Sequence, residues 1–542
     1  MLKRKLLTSA ILAITFPVLA KSPVNISLQQ IGSYHSGVFA AGAAEIVAFD
    51  PETDQLFVIN ANANTVDVLD ISDPTGPLKV NSIDVLADLP LAGGVNSVAV
   101  HHGLVAIAVE HADRQANGWA AFYTTTGDFL AAFPAGALPD MITFTPNGDY
   151  VLVANEGEPS SDYQFDPEGS VTVIDIKKGL AKATIRTAHF QDYNINGAPE
   201  GVRISGPGAS VAQDLEPEYI TIADDSRTAW VTLQENNALA IIDIRKGEVK
   251  DLVALGSKDH SIEGQGLDAS NSDGHINIQT WPVLGTFMPD AIASYKHRGT
   301  TYLVTANEGD GREYIYGAES EEACESAGHE WDDGDCIAWL DEARIRDLDL
   351  DPAIFPGAAA LQANAAIGRL KVLATEGWDD GDADYESLHA YGARSISIWN
   401  EEGQQVADTG DVIEVATALV LPDYFNSSND DNDSFDDRSD DKGPEPEGVV
   451  IGKVQGRQFA FVGLERIGGV MVFDVTDPAA PHFVSYTNNR DFLLDAEDPA
   501  AGDLGPEGLV FIDAHDSPNH KPLLVVGNEI SGTTTIYQVV KD

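Results

Sequence analysis

Along most of the chain, short apolar runs alternate with turns built from Asp, Asn, Gly and Pro, a pattern that predicts strands rather than helices. One unit recurs seven times. It consists of an acidic or amide residue, an apolar strand, a turn, a second apolar strand, and a closing Glu or Asn. The copies occupy 45–62, 96–110, 140–156, 218–235, 290–308, 447–465 and 507–529. A third strand follows most of them, as in Val66-Asp-Val-Leu-Asp70-Ile, Leu239-Ala-Ile-Ile-Asp243-Ile and Val470-Met-Val-Phe-Asp474-Val. Repeated antiparallel sheets of this kind build propellers, so the expected fold is all-β, a seven-bladed β-propeller.

The last copy lacks an outer strand, whereas the alternating segment 25–34 has no partner of its own. It is expected to complete the seventh blade and remove an exposed edge. In each blade the first strand leaves one face of the disc and the second returns to it. The repeated acid and the repeated Glu should therefore share one mouth near the axis. The long insertions at 189–215, 256–288, 309–369 and 421–445 should rise around that mouth, while the short turns at 50–54 and 145–149 lie on the plain face. Function is expected on the elaborated side.

Charge sharpens this picture. The 542 residues include 86 Asp and Glu against 32 Lys and Arg, a net charge of −54. A phosphate backbone would be repelled, which excludes nucleic acid, and anionic membranes are equally disfavoured. Bound cations would relieve the self-repulsion, although a salt-tolerant acidic surface would account for the bulk charge as well. Lys3, Arg4 and Lys5, the apolar run 6–19 and Val18-Leu19-Ala20 read as an export signal cleaved after Ala20. Residues 21–542 would then form one periplasmic or secreted domain, expected to be a monomer. No later stretch is apolar enough to span a bilayer, and no anchoring tail is expected after the last blade. The two cysteines, Cys324 and Cys336, are expected to pair in an oxidising compartment.

The candidate chemistry is a ring of carboxylates. Asp140, Glu218, Asp290, Glu447 and Glu507 open the first strands, and Glu156, Glu235, Glu308, Glu465 and Glu529 close the second ones. Ten such groups near one axis repel unless cations intervene, and hard oxygen ligands select calcium or another divalent cation. The competing account has each Glu accepting backbone hydrogen bonds at its own corner. Two acidic insertions add ligands: Asp380, Asp382 and Asp384 at alternate positions, and Asp433, Asp436 and Asp440 in a run where Phe435 reads as buried. Scarce cations stand at the mouth, namely Arg312, Arg438 and Lys442. One functional reading is a calcium-dependent phosphoesterase, with Glu308 and Asp310 as metal ligands and Arg312 or Arg438 on a small anionic substrate. These arginines could equally pair with the surrounding acids. The other reading is a non-catalytic module that binds an extracellular macromolecule. The absence of a serine elbow, a phosphate loop or a zinc motif suits the second.

Four segments carry a family resemblance. They are Ala61-Asn-Ala-Asn-Thr-Val-Asp-Val-Leu-Asp70, Ala306-Asn-Glu-Gly-Asp-Gly-Arg-Glu-Tyr314, Asp436-Asp-Arg-Ser-Asp-Asp-Lys-Gly-Pro-Glu-Pro-Glu-Gly448 and Gly527-Asn-Glu-Ile-Ser-Gly532. By them the chain resembles the choice-of-anchor I family and is similar to the mesenchyme-specific cell-surface glycoproteins of echinoderms. The resemblance implies an exported propeller and transfers no reaction. The Pro-Glu-Gly and Asn-Glu-Gly corners are more distantly similar to phytase-like and calcium-dependent alkaline phosphatase propellers, an analogy of fold alone.

Overall fold

The computed structural model describes residues 24–160, 164–318, 320–332, 335–379, 381 and 383–541. The expected leader, 1–20, and the candidate ligands Asp380 and Asp382 lie outside the described residues. Strands make up 43% of the described residues and helices 8%.

Seven four-stranded antiparallel sheets follow one another along the chain. Their first strands are Val47–Asp50, Ala92–His101, Pro139–Phe144, Ile220–Ile222, Ile292–His297, Pro446–Val454 and Pro506–Ile512. Each first strand packs against the first strand of the next sheet, and the seventh packs against the first. These strands therefore surround a central axis, as in a seven-bladed β-propeller. Second and third strands such as Tyr150–Asn155 and Ala238–Asp243 are almost wholly buried, being covered by a neighbouring blade on each side. Outer strands such as Leu78–Asp84 are largely exposed.

Seven hydrophobic clusters fill the seven seams between successive blades, and no seam is left open. Closure depends on the strand Ile26–His35, which pairs antiparallel with Thr533–Lys541 and completes the last blade as expected. Ile26 is fully buried against Phe459, Phe461 and Leu524 in the seam between blades six and seven.

The insertions build a cap over one end. The segment expected at 309–369 runs on to Arg394, because the third strand of blade five starts only at Ser395. Together with 256–288 it forms a five-stranded sheet, in which Leu284–Thr286 runs parallel to His389–Ala390. That sheet has its own core around Leu267, Val283, Ile345, Ile367 and Leu388. Helix Val412–Val420 buries Ile413 and Ala416 against Val304, Ile398 and Met471 of blades five and six. Ion pairs stitch the cap together. Arg203, from 189–215, bonds Asp341 and reaches Glu376 at 3.1 Å. Cys324 and Cys336 form the expected disulfide within the cap.

Candidate functional site

The acids reach the axis through a repeated irregularity of the first strand. In blades three, six and seven the pairing of first and second strands shifts register between Pro139 and Ile142, Pro446 and Val449, and Pro506 and Leu509. Each bulge holds the acid of the repeat, Asp140, Glu447 or Glu507. A bulge bends the strand and re-aims the side chain there, and a Pro at the strand start gives up no needed ladder donor. Glycine follows Glu447 and Glu507 because the strands crowd at the axis. A Cβ on Gly448 would strike the Glu507 carbonyl oxygen, and one on Gly508 that of Glu45.

All ten carboxylates of the expected ring are buried or half-buried, and each lies close enough to others of the ring to raise or be raised by them. Among the described residues three groups place an oxygen from each member within 4.8 Å of the others: Glu45, Glu507 and Glu529; Asp290, Glu308 and Glu447; and Glu308, Glu445 and Glu465. Burial, reinforced by neighbouring carboxylates, pushes Asp290, Glu218, Glu447 and Glu507 well above the usual carboxylate range. Burial with Glu529 and Asp140 lifts Glu45 to about 8, and burial with Glu158 lifts Asp140 to about 7. Burial also raises Glu308 to about 7, against the pull of Lys442. Among the described residues Glu218, Glu235, Glu447 and Glu507 each keep a buried Oε2 with no hydrogen-bond partner.

The third group differs from the other two because the protein supplies a cation to every member, whereas in the others, among the described residues, only Glu308 and Glu529 feel one, from Lys442 and Arg466. Glu445 meets Arg438 at 2.7 Å, Arg466 at 3.0 Å and Lys442 at 3.4 Å. Burial alone would raise its carboxyl, but Lys442, Arg466 and Arg438 outweigh that and hold it below the usual range. Arg466 also reaches Glu465 at 3.1 Å, and Lys442 reaches Glu308 at 3.6 Å and Asp310 at 3.0 Å. Gln234 donates to Glu308 at 2.9 Å.

The arginines expected to face a substrate are committed to carboxylates. Arg312 is buried, bonds Glu216 and donates to the Asp214 carbonyl at 2.8 Å. Arg438 is held by Glu445 and by Asp441 at 3.0 Å. Nor does the acidic run 429–442 converge on one point. Asp433 is exposed, Asp436 is buried and accepts from Ser439 at 2.6 Å, and Asp440 pairs with Arg344 at 2.6 Å and Arg369 at 2.9 Å. Phe435, expected inside, is 39% exposed, because the backbone turns outward there to let Asp436 bond Phe425. Asp384 lies in the small sheet it shares with Asp379 and in none of the three carboxylate groups found among the described residues.

The ring read from sequence omitted Glu45, Glu158, Glu216, Glu445 and Arg466. Glu45 stands at the marked position of the first repeat and could have been included on that ground. A second signal was the tripeptide Glu-Pro-Glu, present as Glu216-Pro217-Glu218 and Glu445-Pro446-Glu447. In both, the first Glu takes guanidinium and the second faces the axis unpaired by any basic group among the described residues. The ring also borders a cavity of ≈ 820 Å³, walled by Asp140, Glu156, Glu218, Glu235 and Asp290 and rimmed by Arg312 and Tyr314.

The chain is 30% identical over 357 residues to the mesenchyme-specific cell surface glycoprotein of Strongylocentrotus purpuratus, covering 62% of this chain and 45% of that protein. It is 28% identical over 191 residues to Gigasin-3a of Magallana gigas, covering 33% of this chain and 67% of that protein. The chain thus spans less than half the length of the first of these relatives. Similar solved chains include Kuenenia stuttgartiensis hydrazine synthase, at TM-score 0.44 and 12% identity over 94% of this chain and 100% of that one. Another is the β-propeller domain of Myceliophteria thermophila Cps50 (Swd1), at TM-score 0.42 and 10% identity over 95% and 100%. The family model of the choice-of-anchor I domain matches residues 45–478, and the chain belongs to that family.

Proposed function

We propose that this protein is an extracellular or cell-surface propeller whose mouth binds divalent cations, with calcium the expected ion, and that it serves as a binding module. The observation that carries this reading is the convergence of Asp290, Glu308 and Glu447 within 4.8 Å, where Asp290 and Glu447 have no basic partner among the described residues. Glu45, Glu507 and Glu529 form a second such group. Buried carboxylates that crowd without cations must take up protons or a metal, and all-oxygen sets suit calcium or magnesium. The surface location is supported by the family and by the relative whose name places it at a cell surface. Export through the leader 1–20 belongs to the same proposal, and N-terminal sequencing of the exported protein tests it.

The paired state of Arg312 and Arg438 favours binding over phosphoester hydrolysis, because neither guanidinium is free to hold a phosphoryl group. The test is calorimetric titration of chelator-treated protein with calcium, run alongside Glu447→Gln. Saturable uptake weakened by the substitution supports the reading, and absence of uptake overturns it. Release of phosphate from simple esters that disappears with chelator would restore the enzyme.

A further inference from the structure

The ring is electrically lopsided, and the cavity lies on its poorer side. Around Glu445 three side-chain cations answer the acids. On the arc of blades three and four the cavity wall carries Asp140, Glu156, Glu218 and Glu235, with Asp290 beside them. Two guanidinium groups share that wall, and both are taken. Arg114 holds Glu158 at 3.1 Å and Glu110 at 3.5 Å, and Arg312 holds Glu216. Glu218 is only 8% exposed, yet its Oε2 has no partner among the described residues, nor does that of Glu235. Arg312 partly offsets Glu235, whereas no basic group among the described residues offsets Glu218; buried carboxylates left short of cations at a cavity call for a positive occupant.

The size of the cavity argues that metal ions alone do not fill it. At ≈ 820 Å³ it lies within the range of about 300–1,000 Å³ typical of small-molecule sites. A water molecule, by comparison, takes about 30 Å³ of liquid. The acids sit at or beside the ends of separate strands, and Asp140, Glu156, Glu218 and Glu235 belong to none of the close carboxylate groups among the described residues, so no single point charge can satisfy them. An ammonium group is a compact charge with three rotatable donors, which suits scattered carboxylates better than a planar guanidinium fork does. A chain carrying several such groups can reach successive acids.

From this we infer that the cavity over blades three and four binds a flexible ligand bearing several primary ammonium groups, a linear oligoamine. The inference rests on the cation-binding reading of the mouth and assigns this arc a second kind of cation. The same chemistry occurs in free polyamines and in the lysine side chains of a partner's tail.

The experiment titrates the full chain with spermine, and separately with a hexalysine peptide, at near-neutral pH in chelator and again in saturating calcium. Glu218→Gln and Glu235→Gln are measured beside the unaltered protein, with circular dichroism confirming their fold. The expected result is one saturable site for spermine, weakened at least about tenfold by either substitution. Spermine bound better than the peptide assigns a free oligoamine, and the reverse order assigns a protein tail. Binding that neither substitution weakens reflects adsorption to a surface of net charge −54 and overturns the inference, as does no binding. Calcium uptake without spermine binding overturns this inference alone, whereas loss of both overturns the reading beneath it.

Discussion

Glu445 and Glu447 stand two residues apart, one just before and one just inside the strand Pro446–Val454, and their carboxyl groups are held in opposite states. Lys442, Arg466 and Arg438 overcome burial at Glu445 and keep it ionised. Burial and the carboxylates of Glu465, Glu308, Glu507 and Asp290 drive Glu447 well above the usual range. Regular alternation would put residues two apart on one face, but Glu445 has a left-handed φ of 50° and Glu447 lies in the bulge between Pro446 and Val449, and these two irregularities separate their side chains. Substitution should therefore act with opposite sign at the two positions.

Glu445→Gln should destabilise the fold, because it leaves Arg438, Arg466 and Lys442 without their shared anion. Breaking a buried pair by removing one member costs roughly 3–5 kcal/mol. Denaturant unfolding in chelator measures it, and an unchanged midpoint would contradict the assigned network.

Glu447→Gln should instead stabilise the metal-free protein at neutral pH, because a neutral amide folds into this position without having to take up a proton. It should also lose the gain from calcium, which for a single site at a hundredfold excess over Kd is about 2.7 kcal/mol. Thermal unfolding of both proteins, with and without calcium, shows whether the two curves cross.

Stability should depend on pH in a direction set by the raised carboxyls. Glu45 moves from an ordinary 4.5 to about 8, and Asp140 from 3.8 to about 7. Such groups bind protons on folding, so their contribution is complete below the unfolded values and is lost as pH rises through the folded ones. In chelator the melting temperature should fall between about pH 5 and pH 8. In calcium that decline should flatten, because the metal replaces the protons. A decline of equal size in both media would argue against metal at the ring.

Closure of the propeller should be sensitive to its first strand. Ile26 is fully buried in the seam between blades six and seven, and Ile26→Ala should cost about 2–5 kcal/mol. Limited proteolysis should show the last blade opening first, whereas uniform loss of all blades would mean that the ring melts as one unit.

Local rules were enough for much of this protein. Period-two apolar runs determined the strands, their sevenfold recurrence determined the blades, and the surplus alternating segment near the N-terminus determined the closure. The shared mouth followed as well, because a repeated position in a repeated hairpin must return to the same end. That logic placed Asp140, Glu218 and Glu447 together without any contact being known. Only the tertiary structure decided which acids are neutralised. Arg312 reaches Glu216 across 96 residues and Lys442 reaches Asp310 across 132, through insertions that obey no repeat. The net charge of −54 is visible in composition, but whether a given carboxylate faces a guanidinium, a proton or an empty wall depends on how those insertions fold back over the axis. Coulomb energies fall with distance and rise in buried surroundings, so the state of each acid is a property of the packed cap, not of its neighbours in the chain.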